Sequence, residues 1–158
     1  MVLDSVRAFF NLRLAPEEEP RPERVAVAAA ALLLEIAHAD GIGPEESASI
    51  LKAVREDLAV PEEDVREVLR LAEEARRESV DLYQFTRLVA ERFSHDQRQR
   101  LVEAIWRVVY SDGVLTAVEN QLARRIGELI GLQPPEVQEA RDRVIGRRRE
   151  APGAAEDP

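Results

Sequence analysis

Residues 101–119, LVEAIWRVVYSDGVLTAVE, decide the fold: an apolar helical run ends at the turn dipeptide Asp112-Gly113, and a second helix opens with Glu119 in its first turn. Residues 31–46, ALLLEIAHADGIGPEE, repeat the design. There the apolar run reaches Asp40-Gly41, and Pro44 opens a helix that carries Glu45 and Glu46. Two copies of one helical hairpin predict an all-α, compact bundle built from two pseudo-repeated hairpins.

Composition agrees with this. A chain of 158 residues is long enough for one domain with a real core. It is 45% hydrophobic and 34% charged but only 4% aromatic, a balance rich in Ala, Leu, Glu and Arg that favours helices over strands. The formal net charge of -9 excludes nucleic acid as a general partner, because a phosphate backbone rewards clustered cations. Cations and basic protein surfaces suit such a chain better. With no cysteine there is no disulfide framework, thiolate metal site or cysteine nucleophile, which fits a cytoplasmic location. Residues 1–14 scatter Asp4, Arg7 and Arg13 among apolar residues and do not read as a secretory leader. The longest apolar run, residues 25–36, includes Glu35 and falls short of the ~20 residues of a membrane span.

Working outward from the hairpins, the chain divides into an N-terminal amphipathic segment with an acidic linker (1–20), a helical domain (21–148) and a disordered tail (149–158). In the first segment Leu3, Val6, Phe9 and Phe10 follow helical spacing, with docking onto the domain, a partner groove or a membrane surface as its uses. PEEEPRP, residues 16–22, is a proline-punctuated linker. The apolar residues of 22–39 cover nearly the whole helix circumference, the mark of a central helix. Ile50, Leu51, Val54 and Leu58 form a stripe on the helix opened by Pro44, and Val65, Val68, Leu69 and Ala72 form one on a helix opened by Pro61. The charges EEARRE at 73–78 read as a solvated face. Asp81 is placed to cap a helix bearing Leu82, Phe85, Leu88, Val89 and Phe93. Ser94 with Gln97 and Thr116 with Glu119 have capping-box spacing, and each opens a further helix. The first of these carries Trp106 on its inner face as a core anchor, and the second carries Leu122, Ile126, Leu129 and Ile130. A last helix begins near Pro134 and Pro135 and runs to about Arg147. Its arginines Arg141, Arg143, Arg147, Arg148 and Arg149 suit the negative end of a helix dipole. About seven helices and no strand result.

An aspartate at the C-terminal end of a helix meets the negative end of the dipole and unsatisfied carbonyls, an unfavourable place for a carboxylate. Asp40 and Asp112 are both predicted there. A bound divalent cation would offset the conflict by taking carboxylate and carbonyl oxygens together. Glu46 and Glu119 in the following first turns, and Glu35 about one turn before Asp40, are candidates for the same site. Capping and the helix dipole explain these glutamates without a metal. The spaced acidic ladder of an EF-hand is missing. Glu35 and His38 have the Glu-x-x-His spacing of di-iron bundles, but no second pair exists. There is no nucleophile elbow and no Gly-rich phosphate loop, so the chain is expected to be non-enzymatic.

ALLLEIAHADG with the following PEE, VDLYQFTRL at 80–88, and LVEAIWRVVYSDG with TAVENQLARRIGELIGL at 101–132 together resemble the tellurite-resistance TerB-like family. Its domain is similar to the N-terminal domain of DjlA-type co-chaperones. The resemblance covers about residues 25–132. It implies a bundle of internally related halves and an acidic divalent-metal site, matched here by Glu35, Asp40, Asp112 and Glu119, with Glu46 beside them. It also implies a role in stress-response, tellurite-resistance-like or membrane-linked complexes, with a protein partner and a peripheral membrane or membrane-complex association. The alternative it leaves open is a metal-independent protein-interaction module like the co-chaperone domain. This sequence departs from the pattern in two places: the loop between Asp40 and Pro44 is one residue shorter, and Gln121 stands where several relatives have histidine. It also lacks the His-Pro-Asp motif of a J-domain.

Overall fold

The computed structural model describes residues 22–39, 44–79, 81–113 and 115–150. The N-terminal segment 1–20, Asp40 and residues 151–158 of the tail lie outside them. Among the described residues seven α-helices form a bundle and there is no strand. No helix of the described residues is long and apolar enough to cross a membrane.

Helix α1 (Pro22–His38) is the axis. Every residue from Val25 to Leu34 is at most 9% exposed, as are Ile36 and Ala37. Alanines on several faces let neighbours approach closely, and α1 packs against five later helices. Each fully buried leucine on it, such as Leu32 and Leu33, is worth about 1.5–3 kcal/mol.

Helix α2 (Pro44–Lys52) gives way to a π turn at Ala53–Asp57, closed by Leu58 N–H donating to Ala53 O at 2.9 Å. The stripe facing the core is Glu46, Ile50, Ala53 and Val54, at i, i+4, i+7 and i+8. Leu51, expected on that stripe, is 41% exposed because a one-residue step from Ile50 rotates it well off the buried arc. The chain leaves the π turn through Ala59, a non-glycine residue at φ 54.

Pro61 does open the next helical region, but its first turn, Glu62–Asp64, is 3-10, and helix α3 (Val65–Glu78) follows. Helix α4 (Tyr83–Arg92) starts where Asp81 Oδ1 accepts from Tyr83 N–H at 2.8 Å, so Asp81 works as the expected local cap. Helix α5 (His95–Tyr110) and helix α6 (Ala117–Leu129) both begin with complete capping boxes, Ser94 with Gln97 and Thr116 with Glu119. Helix α7 (Pro134–Glu150) closes the bundle, its helical backbone continuing through residues 149–150.

Trp106 on α5 is fully buried and donates its indole N–H to Val137 O at 3.2 Å, tying α5 to α7. The guanidinium carbons of Arg124 and Arg141 each lie 5.9 Å from its ring centre. Arg143 and Arg147 donate to Glu103 on α5, both at 2.9 Å. Arg143 and Arg147 therefore reach sideways onto α5. At Gly127 α6 and α7 approach closely, since a Cβ there would stand 2.6 Å from Val137 Cγ2.

On α6 the buried arc is Glu119, Ala123, Ile126, Gly127 and Ile130. Leu129 was expected to face inward but is 39% exposed. It falls on the flank shared by Val118 and Leu122, about a quarter-turn from the centre of the arc.

Candidate functional site

The second hairpin builds its acidic turn locally. Thr116 Oγ1 accepts from Glu119 N–H at 3.1 Å and donates to Glu119 Oε1 at 3.0 Å, while Oε1 also accepts from Thr116 N–H at 3.2 Å. This reciprocal box holds Glu119 at 1% exposure, with its charge against the positive end of α6. Glu119 therefore has one oxygen engaged by the cap.

Glu46 occupies the equivalent place in the first hairpin: it sits in the first turn of α2, one turn before the next buried position, at 4% exposure. So each hairpin buries one glutamate, in the same phase of its second helix. A buried carboxylate needs hydrogen-bonding or charged company, which makes this repetition informative.

Asp112 lies in the turn after α5 and is exposed. Gly113 at φ 80 makes that turn possible, with its N–H donating to Tyr110 O at 3.0 Å. Ser111 Oγ donates to Val108 O at 2.7 Å. Two carbonyls at the end of α5 are thus already satisfied, which moderates the conflict that the sequence places at Asp112.

Glu35 faces elsewhere. Its Oε1 is 3.5 Å from Arg76 Nη1, at the edge of a charged network between α1 and α3. Arg76 donates to both oxygens of Glu73, at 2.9 and 3.3 Å, and His38 Nε2 lies 3.1 Å from Glu73 Oε1. Burial pushes the Glu73 carboxyl up, but the Arg76 hydrogen bond and charge, with the charges of His38 and Arg77, hold it below its ordinary value. Arg76 is raised, first by its hydrogen bond to Glu73. EEARRE is therefore not merely a solvated face: Glu74 is buried, and Glu73 and Arg76 are half-buried interhelical partners. The signal available in the sequence was two i,i+3 charged pairs, Glu35 with His38 and Glu73 with Arg76, each beside buried alanines.

The five candidate ligands supply carboxylate oxygen only, a donor set suited to calcium, magnesium or manganese and unsuited to soft metals. Among the described residues, no three His, Asp or Glu side chains come together closely enough to hold a metal ion.

The fold and these turns define an all-helical domain of two related hairpins, each with a buried first-turn glutamate. The chain belongs to the TerB family: the family model described as tellurite resistance protein TerB matches residues 26–142, from α1 into α7. No curated protein and no solved structure matches it.

Proposed function

We propose that this chain is a non-enzymatic TerB-family binding module that takes a divalent cation at its acidic turns, in stress-response or membrane-linked complexes. The observation that carries the reading is the pair of buried glutamates, Glu46 and Glu119, in equivalent first turns of the helices that follow the two Asp-Gly dipeptides in sequence. Each turn would act by itself, Asp40 with Glu46 in the first hairpin or Asp112 with the uncapped oxygen of Glu119 in the second, with backbone carbonyls and water completing the shell. Glu35, turned toward Arg76, is the weakest member of the set. A bound cation would supply charge that offsets the carboxylates near a helix end.

Titration calorimetry of the full chain with calcium, magnesium, manganese and zinc chlorides tests this. Saturable heat with at least one of the first three supports the reading; no heat with any of them removes it.

The capping box favours a second reading. Glu119 Oε1 is already committed to Thr116, so the acidic turns can be purely structural and the domain a metal-independent protein-interaction module. The calorimetry separates the two readings.

A further inference from the structure

We infer that the recess beside the loop joining the π turn to α3 binds a small organic cation, an amine carried on an apolar body the size of a phenyl ring. The recess has a volume of about 220 Å³ and is walled by Ala26 of α1, Val68 of α3, and Leu58, Val60 and Pro61 of the loop. Ala26, Val60 and Val68 are all buried. An apolar cavity of roughly 150 Å³ accommodates benzene, so this volume takes one ring with a short tail.

Two features mark the recess as a built site. The first is its backbone. The π turn is closed by Leu58 N–H donating to Ala53 O at 2.9 Å, and Val60 N–H reaches back to Val54 O at 3.1 Å. Between these two bonds Ala59 stands at φ 54, the one non-glycine residue at positive φ among the described residues. π turns and left-handed non-glycine residues carry a cost, and both gather at functional sites. On an α-helix two residues one position apart from a common neighbour point to nearly opposite sides, so the break at Ala59 is what brings Leu58 and Val60 to the same recess.

The second feature is a single charge. Asp64 is the only charged residue in the lining among the described residues, it is exposed, and its side chain makes no capping hydrogen bond to α3. Its neighbour Glu62 differs, with Arg55 Nη1 3.7 Å away. Apolar walls with one convergent polar group are the usual form of a small-ligand site, the walls supplying burial and the polar group fixing orientation. A lone carboxylate there selects a cation and turns away an anion. The groove along α6 has no such selectivity, because its lining mixes Arg124 and Arg125 with Glu128.

Three probes of nearly one shape and different charge test the inference: phenethylamine, 2-phenylethanol and phenylacetate. Each is titrated into the full chain with chelator present and followed by amide chemical shifts. A ligand of about nine heavy atoms is expected to bind with a dissociation constant on the order of millimolar. Phenethylamine is expected to shift the amides of Leu58, Ala59, Val60, Asp64 and Val68 saturably. The alcohol is expected to bind there about two- to fivefold more weakly, and phenylacetate more weakly still. Asp64→Asn, at an exposed position, is expected to erase the difference between amine and alcohol. Ala26→Leu is expected to fill the recess and abolish binding of both, with thermal melting confirming that the variant folds. Asp64→Asn decides the matter whether or not Ala26→Leu folds. The proposal is overturned by any of four results: no saturable shift with the amine, larger shifts on α6 than around the recess, an amine preference that survives Asp64→Asn, or unchanged binding in a folded Ala26→Leu chain. The chelator keeps all of them separate from the divalent-cation reading, on which this inference does not rest.

Discussion

In the second hairpin Thr116 and Glu119 lock the start of α6 with a reciprocal capping box, whereas in the first hairpin α2 starts at Pro44 and runs only to Lys52 before a π turn takes over. Both arrangements bury a first-turn glutamate, Glu119 at 1% and Glu46 at 4%. The burial of Glu119 is written in four consecutive residues. In the first hairpin α2 and its π turn lie against α5. The same buried first-turn position thus occurs in two helices of different length and ending.

If α5 is the wall on which both hairpins lean, Trp106→Ala has the largest effect. Truncating this fully buried side chain, with loss of its hydrogen bond to Val137 O, is expected to destabilise by about 3–5 kcal/mol in urea unfolding. A midpoint close to wild type would mean that α5 is not the shared wall. Next comes the asymmetry itself. Thr116→Ala removes the cap and is expected to lower stability by about 0.5–2 kcal/mol. Ser47→Ala on the exposed face of α2 is expected to stay within about 0.5 kcal/mol of wild type. Equal losses from the two substitutions would break the comparison.

A smaller effect, of opposite sign, is expected where the first hairpin strains its exit. Ala59→Gly relieves a left-handed backbone at φ 54, and a gain of about 0.5–1 kcal/mol is expected from thermal melting. The smallest concerns the network bracing α1 on α3. The folded Glu73 carboxyl titrates below its ordinary 4.5, so its contribution is complete above that pH and is lost as pH falls through the folded value. Glu73→Gln is therefore expected to be less stable than wild type near neutrality, with the gap closing as stability is followed down to about pH 3. A gap that widens in acid would show that Arg76 and His38 do not hold Glu73 ionised.

What the sequence disclosed follows the same division. The capping boxes at Ser94 and Thr116, the buried all-round character of α1, the core position of Trp106 and the proline starts were legible, because each is a property of residues within one helical turn or stripe. The π turn at Ala53–Asp57 was not, since no residue type marks it and packing selects it. Leu51 and Leu129 were misplaced for a related reason: an apolar residue on the flank of a stripe is assigned inward by type, while its angle on the wheel leaves it outside. The interhelical role of Glu73 and Arg76 was missed because their i,i+3 pairing does not say that the pair meets another helix, 35 and 41 residues away. Of the acidic site, Glu119 and its cap were fully legible, and the burial of Glu46 was not.

The most direct test of the cation reading is thermal melting of wild type, Asp40→Asn and Asp112→Asn, each with chelator and with excess calcium or manganese. If the acidic turns hold a cation, wild type melts higher with metal, following the logarithm of its concentration over the dissociation constant. Both variants then lose that response, and with chelator they are as stable as wild type or more so, because a carboxylate is removed from a helix end. A variant about 0.5–2 kcal/mol less stable with chelator, in a protein whose wild type ignores the metal, would contradict the reading and leave the aspartates as turn-forming residues.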